Sequence, residues 1–372
     1  MNVLIIIFFS ILILYVLQVG LFSYGFIILK PHKLKIYSLK IEDKKQLSIL
    51  IPFKNEKNNL NQLVRSLKLQ SLPFSMFEVI FINDNSNDNS ESILKELIKN
   101  IPNFKLINSK QQSKKGAINE GIKSSKANLI VTTDADCIHQ ETWLEEILTY
   151  YLQYKPKMIV APVLMTGKTF FQKLQSLDFL SLTASTAGAC GIKHPIMCNG
   201  ANLIYEKKVF EEFNDALNNK ELSGDDIFLL HNVKKKYPNE IHYLKSKDAI
   251  VYTEAETSIS SFFNQRIRWA SKSKSYKDFD TILSALIILG TNLLIVILSF
   301  LSIFYPVYIK CLFAIWGLKT LADLLFLIIS GSYFKQKKIF YLIPILSILY
   351  PFYVSYIAFI SFFTKNIKWK TK

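Results

Sequence analysis

Leu129-Ile130-Val131-Thr132-Thr133-Asp134-Ala135-Asp136 is an apolar, β-branched run closed by two carboxylates one residue apart. Consecutive apolar residues without helical spacing predict a buried strand. The carboxylates then stand where the strand leaves its sheet, and the carboxyl ends of strands are where open α/β sheets bind ligands. Hard oxygen donors there suit Mg²⁺ or Mn²⁺, held by a few carboxylates together with substrate phosphates. Taken alone, an Asp-x-Asp pair reads equally as a solvated turn. The flanking pattern has to choose between them.

Upstream, Leu47 to Ile51 form an apolar run closed by Pro52, then Phe53-Lys54-Asn55-Glu56 and a helical pattern from Leu60 to Leu69. Phe77 to Ile82 form a second run, followed by the polar string Asn83-Asp84-Asn85-Ser86-Asn87-Asp88-Asn89-Ser90. Ile93, Leu94, Leu97 and Ile98 then recur at helical spacing, Phe104 to Ile107 read as a third strand, and Ala117 to Ile122 as part of a helix. Strands alternating with helices predict a parallel sheet with crossover connections, an α/β fold of Rossmann-like type. In such a sheet the turns after the first, second and fourth strands fall on one edge. Three carboxylate-bearing loops converge there, and the pair Asp134 and Asp136 gains weight as a site. Asp84 reads either as turn chemistry, since Asn and Asp bond their own backbone, or as a carboxylate for a nucleobase N–H. Lys114, followed by Gly116 and Asn119, is either a solvated loop residue or a cation for phosphates.

The 372 residues are 50% hydrophobic, with 28 Phe and 18 Tyr, and the mean hydropathy of +0.22 is high for a soluble enzyme. Val3 to Leu29, Thr281 to Ile309 and Ile339 to Thr364 carry no charge, and Cys311 to Phe334 carries only Lys319 and Asp323. Each is long enough to cross a bilayer core, which takes about 20 apolar residues. The first is too long for a signal-peptide core and lacks a basic start and a small-residue cleavage site. It is expected to be an anchor (1–29). A domain over 30–280 would follow, of about 250 residues and large enough for one core. A membrane region (281–364) and a basic tail (365–372) complete the reading. Pro344 and Pro351 interrupt the last apolar segment, leaving it either spanning or re-entrant. Lys319 and Asp323, four apart on one helical face, are expected to neutralise each other.

The net charge of +16 does not imply nucleic acid. The basic residues crowd the membrane flanks: Lys30, Lys33, Lys35 and Lys40 on one side, Arg266, Arg268, Lys272, Lys274 and Lys277 on the other. Cytoplasmic flanks are enriched in Lys and Arg, so the central domain is expected in the cytoplasm of a bacterial-type inner-membrane protein. No nucleic-acid-binding motif occurs. Cys137, Cys190, Cys198 and Cys311 show no metal-ligand spacing or disulfide framework.

Six motifs occur in order: Pro52-Phe53-Lys54-Asn55-Glu56, Asn83-Asp84-Asn85-Ser86, Lys114-Lys115-Gly116-Ala117-Ile118-Asn119, Asp134-Ala135-Asp136, Gly224-Asp225-Asp226 and Gln265-Arg266-Ile267-Arg268-Trp269. Their succession resembles the family 2 glycosyltransferases of the GT-A fold, in the membrane-bound branch with cellulose, hyaluronan and poly-N-acetylglucosamine synthases and ceramide glucosyltransferase. The resemblance covers residue 47 to about 275 and the flanking helices. It implies an inverting, metal-dependent transfer of a sugar from a UDP-sugar to a lipid-linked or glycan acceptor at the membrane. Pro52, Asn55 and Glu56 would line the nucleotide pocket and Asp84 would hold the uracil. Lys114 would sit near the base or diphosphate, Asp134 and Asp136 would position the metal-bound diphosphate (Mn²⁺ or Mg²⁺), and Asp226 would be the general base. Asp225 stands where the family has Glu. Gln265, Arg268 and Trp269 match the Q-x-x-R-W motif, implying contacts to diphosphate and acceptor, and Asn202 lies in a small-residue loop expected near the acceptor. Asn83 departs from the family's Asp.

Other readings of the same residues stay open. Asp226 before Ile227-Phe228-Leu229-Leu230 also makes a helix N-cap, and Gln265 to Trp269 also make an interfacial helix. A processive synthase coupled to export, or an inactive scaffold of the same fold, would share most of these features.

Overall fold

The computed structural model describes residues 2–33, 45–213, 215–217 and 224–364. Lys35, Lys40 and the basic tail at 365–372 lie outside the described residues. The order is α1 (Asn2–Ile28), β1 (Leu47–Phe53), α2 (Leu60–Lys68), β2 (Phe77–Asn83), α3 (Ser90–Ile98), β3 (Phe104–Asn108), α4 (Lys114–Ser124) and β4 (Leu129–Thr132). Next come β5 (Ile138–His139), α5 (Trp143–Tyr154), β6 (Met158–Val160), β7 (Val163–Thr166), α6 (Phe170–Gly191), β8 (Leu203–Glu206) and α7 (Lys207–Glu211). The last described elements are α8 (Asp225–Lys236), β9 (Ile241–Tyr243), β10 (Val251–Glu254), α9 (Ile259–Ser271), α10 (Phe279–Phe304), α11 (Tyr308–Tyr333) and α12 (Ile343–Phe363).

These elements form two units. One comprises Lys30–Leu164 and Met197–Glu254; the other comprises Met1–Leu29, Met165–Ile196 and Ala255–Lys365. The first unit is built on a seven-stranded sheet of order β3-β2-β1-β4-β8-β6-β9. Its first four strands are parallel, β8 runs antiparallel to both neighbours, and β6 and β9 are parallel. All seven positions of β1 and of β2 are buried, as unbroken apolar runs demand of a sheet covered on both faces. α2 is amphipathic: Leu60, Leu63, Val64 and Leu67, at helical spacing, are its buried apolar residues, each worth about 1.5–3 kcal/mol on burial. The register aligns the strand ends. Phe53 lies opposite Asn83 and Leu50 opposite Thr132. The segments after β1 and β2 therefore leave the sheet together, and the one after β4 leaves three residues earlier on the same edge. Antiparallel β8 begins at this same edge, with Leu203 opposite Thr132.

The second unit is helical. Among the described residues, four helical segments are long and apolar enough to cross a membrane: Leu4–Ile28, Phe279–Phe304, Tyr308–Tyr333 and Lys337–Phe363. The prolines do not break the last of these. Pro344 sits in the first turn of α12, where its missing N–H costs little, and the helix runs on through Pro351. α1 packs against α6, α10 and α11, and α12 against α9 and α10. Leu12, Leu294, Leu298 and Ile315 form a buried apolar cluster. Lys319 is 1% exposed and donates to Asp323 at 2.7 Å; the Tyr15 hydroxyl donates to the same carboxylate at 2.6 Å.

Two features of this unit depart from the sequence reading. Residues 165–196 and 255–280, placed by that reading in the central domain, cluster with the apolar helices. α6 approaches α1 so closely that a Cβ on Gly188 would fall on the Phe22 carbonyl oxygen and one on Gly25 on the Gly188 carbonyl oxygen. Small residues permit such contact. Arg266, read as a membrane-flank charge, is 5% exposed. It donates to Asp178 of α6 at 2.8 Å, and Tyr353 of α12 donates to that carboxylate's other oxygen at 2.6 Å.

Candidate active site

The site forms on the sheet edge where β1, β2 and β4 end. After β1 the chain turns through Asn55 at φ 55°, a left-handed conformation Asn tolerates better than most residues. Its side-chain oxygen accepts from Asn87 N at 2.9 Å and its N–H donates to Ser86 Oγ at 3.1 Å. The Glu56 N–H donates to Ser90 Oγ at 2.8 Å, and its carboxylate accepts from Asn59 Nδ2 at 2.7 Å. Pro52 is a fully paired member of β1, opposite Ile82. These contacts bind the β1 loop to the β2 loop.

Asp84 follows β2, its N–H donating to Phe53 O at 2.8 Å. It is 1% exposed, and its Oδ1 has no hydrogen-bond partner among the described residues. Burial raises its carboxyl above the ordinary range, opposed by the Lys54 charge and by hydrogen bonds from Ser113 and Asn85. Lys54 Nζ lies 4.0 Å from Asp84 Oδ2. The departure at Asn83 has a local reason. Its Nδ2 donates to Glu91 Oε2 at 3.1 Å and to Asn108 Oδ1 at 3.0 Å, and an aspartate there would have no donor and would face the Glu91 charge.

Lys114 opens α4, whose N-cap Ser113 accepts from Gly116 N, and its Nζ donates to Asp134 Oδ1 at 2.6 Å. Asp136 Oδ2 accepts from Thr253 Oγ1 at 3.3 Å. Asp136 is open to solvent yet ringed by protein atoms, and its carboxyl is pushed up to about 6, first by desolvation and then by the Asp134 charge. The buried Cys137 thiol is pushed well up by burial and by both carboxylates, which keeps it inert. Among the described residues no group of three His, Cys, Asp or Glu side chains gathers as an all-protein metal cage. Behind the turn, Thr133 Oγ1 lies 2.8 Å from His139 Nε2, and His139 Nδ1 lies 3.2 Å from Ser66 Oγ. Burial drives the His139 pKa down to about 3.

Asp226 reaches the edge from α8. That helix starts after Gly224, at φ 88°, where a side chain would be strained. Asp226 is therefore the second helical residue rather than the N-cap, and Asp225 the first. Asp226 Oδ1 accepts from Ile227 N at 2.8 Å and Oδ2 from Gly200 N at 3.0 Å, so the turn before β8 holds this carboxylate.

Asn202 is the clearest departure from the expected site. Its side chain is 0% exposed. It accepts from Trp143 Nε1 at 3.0 Å and donates to Pro162 O and Ala249 O, both at 2.9 Å. Its amide is spent inside the fold and does not face a ligand. Gln265, Arg268 and Trp269 lie on α9 of the helical unit. Gln265 Nε2 donates to Glu256 Oε1 at 3.0 Å, and Arg266 stacks on Trp269 at 4.4 Å. The sequence reading passed over Lys54, whose signal was its place one residue beyond β1, abreast of Asp84 one residue beyond β2. It also passed over Thr253, for which no local signal exists.

Residues 48–213 match the family model described as Glycosyl transferase family 2. Poly-beta-1,6-N-acetyl-D-glucosamine synthase of Staphylococcus epidermidis is 24% identical over 267 residues, 68% of this chain and 60% of that protein. The poly(ribitol-phosphate) beta-N-acetylglucosaminyltransferase TarP of Staphylococcus aureus (strain N315) is 27% identical over 125 residues, 33% of this chain and 38% of that one. Glycosyltransferase AglE of Haloferax volcanii is 30% identical over 100 residues, 27% of this chain and 33% of AglE. The chain thus spans between 33% and 60% of the length of these relatives. The mannosyltransferase PcManGT of Pyrobaculum calidifontis, solved with GDP-Man and Mn2+, aligns at a TM-score of 0.54 and 12% identity over 92% of this chain and 95% of that one. That likeness is one of fold.

Proposed function

We propose that this chain, whose residues 48–213 match the Glycosyl transferase family 2 model and whose fold is like that of PcManGT, moves a sugar from a UDP-sugar to a membrane-associated acceptor in cell-envelope glycan or glycolipid synthesis. One observation carries the reading: the buried, unpartnered Oδ1 of Asp84 stands at the same sheet edge as Lys114, Asp134 and Asp136. A buried acceptor without a donor costs about 1–3 kcal/mol, and a nucleobase N–H would supply one. The loops of Pro52, Asn55 and Glu56 would wall that base. Lys114 would face the diphosphate. Relatives act on similar chemistry: two transfer or polymerise N-acetylglucosamine by name, and PcManGT was solved with a nucleotide sugar.

Asp134 and Asp136 fit a divalent cation, since Mg²⁺ and Mn²⁺ accept one or two carboxylates with phosphate oxygens completing the set. When bound, such an ion would stabilise the charge growing on the diphosphate leaving group. Lys114 would add positive charge to the same end. Asp226 would take the proton of the attacking acceptor hydroxyl. The Gly200 N–H fixes one of its oxygens, and base catalysis of this kind contributes about 10²–10⁴ in rate. In-line displacement would invert the anomeric centre. Contacts of Asp225, Gln265, Arg268 and Trp269 to the diphosphate or the acceptor are proposed on the motif resemblance alone.

The test is release of nucleoside diphosphate by membranes holding the full chain, given UDP-glucose, UDP-galactose or UDP-N-acetylglucosamine with Mn²⁺ or Mg²⁺. Release from one donor that disappears on chelation and in Asp226→Asn supports the reading. Release unaltered by Asp226→Asn would remove the base assignment. Label in lipid extracts with one or two sugars marks single addition, and long chains mark processive synthesis.

A further inference from the structure

Lys54 and Asp84 leave two strands side by side, and both side chains keep unused hydrogen-bonding capacity. Lys54 is a point charge with three N–H donors. Among the described residues its only polar side-chain contact is Asp84 Oδ2, at 4.0 Å, too long for a hydrogen bond. Asp84 Oδ1 is buried and without a partner. A free donor thus stands beside a free acceptor, on neighbouring strands, at the mouth of the nucleotide site.

Two parallel hydrogen bonds of about 2.8–3.0 Å to adjacent ring positions need a donor and an acceptor about 3–4 Å apart. Lys54 Nζ lies 4.0 Å from Oδ2 of the carboxylate whose Oδ1 is the open acceptor, which sets the two groups side by side for adjacent ring positions. We infer that Lys54 is a specificity-determining residue that reads the nucleobase jointly with Asp84, the ammonium donating to a ring carbonyl and the carboxylate accepting the adjoining ring N–H. This inference rests on the nucleotide-site reading above. Uracil offers the required edge at O4 and N3–H, and guanine offers it at O6 and N1–H. Cytosine and adenine reverse it, placing an amino group toward the ammonium and a bare ring nitrogen toward the carboxylate. Both contacts then become repulsive, so the pair selects against these bases as well as for uracil.

A bland role for Lys54 exists, in which its charge only offsets the cost of burying Asp84. The two roles part when the charge is removed and a donor kept. The experiment is titration calorimetry on the purified full chain with UDP, CDP, GDP and ADP in the presence of Mn²⁺. UDP and CDP differ only in the pyrimidine edge. UDP is expected to bind at least about 30-fold more tightly than CDP, since a charge-assisted hydrogen bond lost to a mismatched partner costs roughly ten-fold or more in affinity. Lys54→Met is expected to weaken UDP about ten-fold and to leave CDP as tight or tighter, by relief of the repulsion, narrowing the ratio. Lys54→Gln, neutral but able to donate, is expected to restore most of the UDP preference.

Equal losses of UDP and CDP affinity in Lys54→Met, or no loss at all, would overturn the inference while leaving the nucleotide site in place. Failure of Lys54→Gln to recover the preference would reduce Lys54 to a charge. GDP binding above UDP, with the same dependence on Lys54, would uphold the edge-reading and overturn uracil as the base. A chain that binds none of the four nucleotides would overturn the site itself.

Discussion

Replacing Asn202 by alanine removes three buried hydrogen bonds at once, and their surroundings set the cost. Pro162 O keeps a partner, because Val251 N also donates to it at 3.1 Å. Trp143 Nε1 loses its acceptor at Asn202, and Ala249 O loses the Asn202 donor. Counting about 1–3 kcal/mol for each buried group left unpaired, Asn202→Ala should cost about 3–4 kcal/mol. At about 2–4 °C per kcal/mol for a domain of this size, thermal unfolding of the detergent-solubilised chain should fall by roughly 10 °C. Asn202→Asp is nearly isosteric but turns a carboxylate on two carbonyls, and burying an uncompensated charge costs more than burying none. It should therefore be the less stable variant. Trp143→Phe, which removes one donor, should lie between Asn202→Ala and the unmodified chain. Nucleotide affinity, measured well below the lowest midpoint, should be unchanged in Asn202→Ala. An unchanged midpoint, a stabler Asn202→Asp, or weakened nucleotide binding with normal stability would show that the amide faces a ligand after all.

The buried His139 gives a pH dependence of known sign. Its folded pKa, about 3, lies below the ordinary value of about 6.5, so the unfolded chain binds a proton the folded chain refuses. Its stabilisation is complete above about pH 6.5 and is lost at up to about 1.4 kcal/mol per pH unit on falling toward pH 3. His139→Gln should flatten that limb in melts recorded across the window, and an unchanged slope would exclude His139 as its source. Gly188→Val places a side chain on the Phe22 carbonyl, and because backbone cannot swing aside as a side chain does, the loss should exceed the usual overpacking cost of about 1–3 kcal/mol. Melting of the full chain measures it, and a normal midpoint would mean that α1 and α6 do not touch there. Asn83→Asp should cost about 1–3 kcal/mol by replacing the donor to Glu91 and Asn108 with a second carboxylate facing Glu91, with Glu91→Gln in the same chain recovering part of it; no recovery would exclude Glu91 as the cause.

What could be read from the sequence was local. β1, β2, β3 and β4 are apolar runs whose period and polar terminators lie within a few residues, and the carboxylates ride on their ends. The four apolar helices were equally plain by length. What escaped depends on distant partners. Asn202 meets Trp143 from 59 positions away and Ala249 from 47, and nothing around Asn199-Gly200-Ala201-Asn202 announces either. Arg266 looked like a flank charge because Asp178 is 88 residues away. α6 was hidden by composition, since Thr183 to Gly191 are too small and polar to register as a membrane-type helix, although small residues are what close packing on α1 requires. Asn83 read as a weakened motif until Glu91 and Asn108 supplied its partners.

The decisive measurement is the anomeric configuration of the transferred sugar. Full-length chain in native-like membranes would be given an α-linked UDP-sugar labelled at C1, and the product examined by NMR for its one-bond and H1–H2 couplings. A single displacement, with Asp226 taking the acceptor's proton opposite the leaving diphosphate, gives a β-linked product in the unmodified chain and none in Asp226→Asn. An α-linked product, or a β-linked product formed at full rate by Asp226→Asn, would contradict that chemistry.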